Sequence, residues 1–247
     1  MSSPPAPGTG SLLDFNSPLS AERAHRLVTQ MAAREPVTVI DLGCGWGELL
    51  LRLLVALPGA KGVGIEQHAA DVSRARANAE ARGLEERVTF VEGSAREYAG
   101  GADLVLNIGA YQAYGTMVEA LAALRELVNP GGRLLFAAEF WEERPSQERL
   151  AHMWPGMTVD DCVELPELVE LTVAAGFRPL RIERATRGEW EEFESGIVAE
   201  LEEWALAHPG TPEADELQAK SDELRSLWLR GHRDLMGFAY LTLGVPV

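Results

Sequence analysis

The chain has 247 residues, 46% of them hydrophobic, enough for one large domain with a sizeable core. Its 38 acidic and 22 basic side chains give a formal net charge of −16, and no basic stripe is visible, which argues against nucleic acid as a partner. Two cysteines, Cys44 and Cys162, cannot build a disulfide framework and point to a reducing, cytoplasmic setting.

Residues 1–11 are rich in Pro, Gly and Ser and read as a disordered tail, with a single domain over 12–247. The opening MSSPPAPGTGSLL lacks the basic and apolar regions of a signal peptide, and no run of about 18 uncharged apolar residues offers a membrane span. In LDFNSPLS, Phe15 and Leu19 are apolar and Ser20 suits a helix cap. Ala24, Leu27, Val28 and Met31 then recur at helical spacing as far as Pro36.

Val37–Leu57, VTVIDLGCGWGELLLRLLVAL, is the organising stretch. A β-branched strand ends in Asp41-Leu42. Gly43, Gly45 and Gly47 follow, and a leucine-dense helix runs to Pro58-Gly59. Strand, glycine turn and helix together form a nucleotide-site opening at the carboxyl edge of a parallel sheet. The dinucleotide pattern G-x-G-x-x-G is not met, because the third glycine falls one position early.

Lys61–Glu66 is the second strand, ending in a carboxylate. A helix over Ala69–Arg82 stops at Gly83, and Arg87–Glu92 alternates as a third strand. Ala102–Asn107 is the fourth strand, and Thr116 with Glu119 forms a capping box for a helix to Val128. Asn129–Gly132 reads as a turn and Arg133–Phe140 as the fifth strand. Trp141–Glu164 breaks the alternation, and a loop so long is functional or mobile. A helix from Leu165 to Gly176 and a strand from Pro179 to Arg184 follow.

Trp190, Phe193, Ile197, Leu201 and Trp204 make an apolar face on an acidic helix, and the acid run Glu189–Glu194 reads as its solvated side. Leu217, Leu224, Leu227 and Trp228 continue on a second helix before a last strand, Phe238–Leu243. A helical insertion over 186–236 therefore separates the last two strands. It serves either as a cap over the substrate opening or as a homodimer surface.

DLGCGWG with Glu66 resembles motifs I and II of the class I S-adenosylmethionine (SAM)-dependent methyltransferases, and N-P-G-G-R-L-L before strand five resembles them too. The likeness covers about Val37 to Arg184. The two ends resemble a bacterial small-molecule subgroup, the YjhP-like proteins. The resemblance implies an α/β, Rossmann-like fold: a seven-stranded, mostly parallel sheet with an antiparallel last strand and a helical cap. It also implies a lid helix within 12–35, where Phe15 and Asn16 either line the pocket or serve as an anchor and a turn residue.

SAM, with S-adenosylhomocysteine as product, is the implied cofactor. Asp41, Gly43, Cys44, Gly45 and Gly47 form the turn beside it, and Glu66 holds the ribose hydroxyls. Gln67, Ser94 and Ala95 border the adenine, and Asn107, Ile108 and Gly109 border the methionine end. Ser94 departs from the acid usual in Gly-Asp-Ala and weakens that contact.

The acceptor, a small molecule, is expected beyond strands four and five. Tyr111, Gln112, Tyr114, Glu139, Trp141 and His152 are the candidates there. Glu139, Tyr111 and His152 are the ones able to act on the reacting group. Glu139 suits a proton acceptor if buried, and a salt bridge or cap partner otherwise. No metal is implied: His25, His68, His152, His208 and His232 are scattered, and strand four ends in Asn107 rather than acids. The expected activity is direct in-line methyl transfer to O, N or C. The alternative is a SAM-binding protein of this fold that transfers no methyl group.

Overall fold

The computed structural model describes residues 4–6 and 9–247. The expected disordered tail, 1–11, lies partly outside them. Of its described part, Gly10 is buried and the Ser11 N–H donates to Glu200 at 3.1 Å, so this stretch is engaged before Leu12.

The chain divides into two compact units. The larger comprises Ser20–Glu139, Leu165–Arg184 and Phe238–Val247. It opens with α1 (Ala21–Ala32), capped by the Ser20 hydroxyl, which accepts from the Arg23 N–H. Ala24, Leu27, Val28 and Met31 are its buried stripe and it packs against α2 (Glu48–Ala56). Arg23 fixes the helix further by donating to Glu183 and to the Arg184 carbonyl, both at 2.9 Å.

Seven strands form one sheet: β1 (Thr38–Leu42), β2 (Lys61–Glu66), β3 (Val88–Glu92), β4 (Ala102–Ile108), β5 (Val128–Trp141), β6 (Arg178–Arg184) and β7 (Met236–Gly244). Their order is β3-β2-β1-β4-β5-β7-β6. Strands β1 to β5 pair in parallel, and β7 runs antiparallel to β6. The direction of winding reverses between β1 and β4, the place where open α/β sheets bind ligands.

Helices α3 (Ala69–Glu80), α4 (Met117–Leu127) and α6 (Leu165–Ala174) complete this unit. Gly83, at φ +64°, ends the run that follows α3. The predicted Thr116–Glu119 capping box opens α4. Leu50, Leu51, Leu53 and Leu54 of α2 are wholly buried, each stabilising by about 1.5–3 kcal/mol.

The expected turn at Asn129–Gly132 is absorbed into β5. Its register against β4 jumps from Ala102↔Val128 to Leu104↔Arg133, so the extra residues bulge out, with Gly131 at φ +77°. The Asp103 carboxylate clasps this bulge, accepting from Asn129 Nδ2 at 3.0 Å. It also accepts from the Val37 and Thr38 amides and the Thr38 hydroxyl, at 3.1, 3.1 and 2.9 Å. These bonds, Asn129 first, hold its carboxyl below the usual range.

The second unit comprises residues up to Leu19, Phe140–Glu164 and Ala185–Gly237. It holds α5 (Gln147–Leu150), α7 (Arg187–Ala207), α8 (Pro212–Ser226) and a π-helical turn, Leu227–His232. Helices α7 and α8 pack through Leu201, Ala205, Ala214 and Leu217. The long loop after β5 is not structureless. Trp141, Leu150, Met153, Cys162 and Met236 form a core there, and Trp141 Nε1 donates to the Val159 carbonyl at 2.7 Å.

Two expectations change in this unit. The second helix gives way to the π turn at Leu227, so Leu227 and Trp228 leave the α-helical stripe. The acid run is also more than a solvated face. Glu189 is buried in a capping box with Thr186, Glu191 binds Arg187 and Arg233, and Glu194 binds His232. Glu191 and Glu194, in the second and third turns of α7, bind the π turn and the residue after it.

Candidate active site

The glycine turn is shaped by backbone conformation. Gly43, Gly45 and Gly47 have φ of +79°, +51° and +74°, the left-handed region that costs other residues energy. A Cβ at Gly43 would collide with the Ala110 Cβ, and one at Gly47 would lie 2.6 Å from the Phe90 ring. Gly47 is the N-cap of α2 and supplies no side-chain bond, which leaves that helix end to the turn itself. The Gly43 and Cys44 amides donate to the Ile65 carbonyl at 2.9 and 3.0 Å, tying the turn to β2.

Glu66 meets the turn from β2. Its Oε2 accepts from the Gly45 N–H and its Oε1 from the His68 N–H, both at 3.0 Å. Each oxygen keeps a lone pair beyond these bonds. The carboxylate is therefore fixed in direction and still able to accept from hydroxyl groups.

Asp41 lies buried beneath the same turn. Burial first, and then the negative charge of Glu66, push its pKa from 3.8 up to about 7. Burial, with Asp41 and Glu66 next, also raises the Cys44 thiol, so Cys44 stays protonated rather than nucleophilic. Asn107 is fully buried on β4. Its Nδ2 donates to the Leu42 carbonyl at 3.0 Å, while its Oδ1 makes no hydrogen bond among the described residues. A buried acceptor left over at the end of β4 suits a ligand donor.

The remaining cofactor candidates are more exposed. Gln67 is on the surface, Ile108 is half-buried and Gly109 is exposed. The Ser94 hydroxyl is already used, accepting from the Arg96 N–H at 3.3 Å as the cap of a short helical turn. Ala95 is buried beside it, and its carbonyl accepts from the Tyr114 hydroxyl at 3.0 Å.

Three residues escaped the sequence reading. The Arg74 guanidinium sits 4.0 Å over the Trp46 ring, Asn78 Nδ2 donates to the Trp46 carbonyl, and Ala110 limits Gly43. Arg74 and Asn78 are four residues apart on α3, so their helical spacing marked a shared face, but nothing local said that Trp46 lay against it.

Among the acceptor-side candidates, Gln112 and Glu139 meet: Gln112 Nε2 donates to Glu139 Oε2 at 3.4 Å. Desolvation raises the Glu139 pKa, only partly offset by a backbone bond and by Gln112. Tyr111 is buried in the same helical turn as Gln112, whereas the Tyr114 hydroxyl is turned onto Ala95. Burial raises the Tyr114 pKa to about 12, which keeps it a hydrogen-bond donor. In the second unit Trp141 is core, Phe15 is buried, and Asn16 and His152 are exposed. No group of three or more His, Cys, Asp or Glu able to hold a metal ion occurs among the described residues. None of their helices is long and apolar enough to cross a membrane.

A fixed carboxylate at the end of β2 and a left-handed glycine turn after β1 define a nucleoside-binding α/β enzyme. The chain belongs to the methyltransferase-domain family, whose profile matches residues 34–195. It is a SAM-dependent methyltransferase. The Escherichia coli K12 protein YjhP is 24% identical over 231 residues, 93% of each chain, and its crystal structure has a TM-score of 0.85. The SAM-dependent methyltransferase of Geobacter sulfurreducens, solved with S-adenosyl-L-homocysteine, has a TM-score of 0.85 at 26% identity, covering 97% of this chain and 96% of its own. That of Thiobacillus denitrificans, solved with the same molecule, has a TM-score of 0.84 at 25% identity, covering 95% of both chains.

Proposed function

We propose that this enzyme methylates a small-molecule acceptor at O, N or C by direct in-line transfer, with Glu139 receiving the acceptor's proton. The observation that carries the reading is the pairing of two carboxylates with different surroundings. Glu66 is held by two amides and suited to accept from ribose hydroxyls. Glu139 is half-buried and lightly bonded, its pKa is raised by partial desolvation, and it is suited to accept a proton.

The backbone from Gly43 to Gly47 would lie along the methionine and ribose parts of SAM. Gln67, Ser94 and Ala95 would border the adenine. The spare Oδ1 of Asn107, with Ile108 and Gly109, would meet the amino-acid end. When bound, SAM supplies a methyl group already activated on a sulfonium. The protein's part is then to orient the acceptor and take up its proton. Tyr111, buried beside Gln112, would line the acceptor's side. His152 is exposed and supports a proton-accepting role less well than Glu139 does. The two unbridged cysteines and the acidic composition support a cytoplasmic setting and a non-nucleic-acid acceptor.

The test is an acceptor screen read as S-adenosylhomocysteine release, followed by Glu139→Gln on the first acceptor found. Turnover should fall about 100-fold or more with SAM affinity unchanged, and the pH dependence from Glu139 should vanish. Undiminished turnover in the variant would remove Glu139 from the reaction. SAM binding without product from any acceptor would favour the non-transferring alternative.

A further inference from the structure

The helical unit contains a second cavity, of about 260 Å³, that shares no residue with the glycine turn. That is below the roughly 300–1,000 Å³ of sites for drug-sized ligands, so its ligand is small. Trp190 and Trp228 line it, and Met236, His232 and Gly237 are the buried part of its lining.

The aromatic wall is held in place from several directions. The π turn that carries Trp228 and His232 is pinned by Arg149, which donates to the Gly231 and Arg233 carbonyls at 2.9 and 2.6 Å. Gly231 is required there, since a Cβ would lie 2.7 Å from the His152 carbonyl oxygen. His232 is stacked on Trp154, 5.0 Å between centroids, tilted against Trp190 at 5.7 Å, and bonded through Nε2 to Glu194 at 3.1 Å. Asp234 has φ +65°, unusual for a residue other than glycine. A π turn inside a helical run and a strained aspartate are features that cluster at binding sites.

Charge decides the ligand's chemistry. Glu142, Glu191 and Asp234 line the cavity against Arg187 and Arg233, one negative charge in excess. Both guanidiniums are committed. Arg187 and Arg233 bind Glu191 at 3.2 and 2.9 Å, and Arg187 pairs with Asp234 at 3.2 Å. Those four side chains balance one another, so the excess falls on Glu142. Its carboxylate is set against the buried lining: a Cβ on Gly237 would lie 2.9 Å from Glu142 Oε1, so only glycine there lets the carboxylate come so close. The chain's charge of −16 has the same sign, so the contact field and the long-range field both draw a cation and repel an anion.

The indole rings point the same way. An aromatic face attracts a cation within about 6 Å of its centre, and Trp does so best. Trp228 already does this with Arg233, whose guanidinium carbon lies 5.9 Å from the ring centroid.

We infer that this cavity binds a small organic ammonium ion, with its charged head held by the Trp190 and Trp228 rings and the Glu142 carboxylate. The inference does not depend on methyl transfer.

The test is calorimetric titration of the full chain, without SAM, with benzyltrimethylammonium, benzyl alcohol and benzoate. The ammonium ion should bind with a sub-millimolar Kd, about tenfold or more tighter than either of the others. Trp228→Leu keeps an apolar side chain but removes the ring, and should weaken binding about threefold or more. Glu142→Gln keeps the shape but removes the charge, with a loss of about the same size. Arg187→Gln should instead tighten binding about twofold or more, because Glu191 and Asp234 lose a compensating charge. Glu142 is exposed and the Arg187 side chain is 60% exposed, so opposite effects there report charge rather than folding. Circular dichroism checks Trp228→Leu. No binding of the ammonium ion at about 5 mM, benzoate bound as tightly or more tightly, or unchanged affinity in both Trp228→Leu and Glu142→Gln would each overturn the inference. Repeating the titration on Glu66→Ala separates it from the cofactor reading. Binding should persist there, and its loss would place the ion at the glycine turn and overturn the inference.

Discussion

In the glycine turn, the polar groups come mostly from the backbone, and the essential side chain, Glu66, follows within the next strand. Around the second cavity, they are side chains drawn from Glu142 to Gly237, brought together by a π turn and a helix start. The first site tolerates almost no change of main-chain conformation. The second depends on main-chain conformation only locally, at Gly231 and Asp234, and otherwise on which side chains are present. A backbone-built site therefore fails by strain and a side-chain-built one by loss of contact, and variants can tell these apart.

Glu66→Ala should break the first site most completely. It removes the carboxylate that the Gly45 and His68 amides hold, and titration should show SAM affinity reduced about 100-fold or more. Binding that survives the change would show that the ribose is held elsewhere. Gly47→Ala should act through strain instead: a left-handed φ and a Cβ 2.6 Å from Phe90 should cost about 2–3 kcal/mol in urea unfolding.

Asp41→Asn sharpens the electrostatic side of the contrast. The folded chain binds the Asp41 proton up to about pH 7, whereas the unfolded chain releases it near 3.8. Stability from this group is therefore full below about pH 4 and is lost as pH rises to about 7. The wild type should lose on the order of 4 kcal/mol across that window relative to Asp41→Asn, read as the difference between their stability–pH curves. Parallel curves would contradict a titrating Asp41.

Ser94→Asp should have the smallest effect, tightening SAM by about threefold to tenfold by restoring a carboxylate acceptor. Weaker binding would mean that the hydroxyl's cap on Arg96 matters more than the adenine contact.

The same contrast explains what the sequence could say. Asp41-Leu42-Gly43 to Gly47 is a contiguous motif whose glycines are demanded by local φ values, so strand, turn and helix were all legible from it. Ser20, Thr116 and Glu119 likewise act within one turn of their own helices. The bulge at Asn129–Gly132 was read as a plain turn because its absorption into β5 depends on Asp103, far away in the chain. The His232–Glu194 pair was invisible for the same reason. Neither residue has a local pattern, and only the π turn brings the imidazole to α7. The meeting of Arg187 and Arg233 on Glu191 was equally invisible, because Arg233 lies far along the chain from the other two.

The Asp103 clasp bears on how such a protein changes over evolutionary time. One carboxylate gathers the chain entering β1 and the bulge entering β5, at the amino-terminal end of β4, while the glycine turn follows the carboxyl-terminal end of β1. Alignment of these strands is thus anchored at the edge of the sheet that carries no chemistry. Loops at the other edge are free to lengthen, shorten or be replaced without disturbing that anchor. Such a division lets a lineage try new substrates while inheriting its scaffold unchanged.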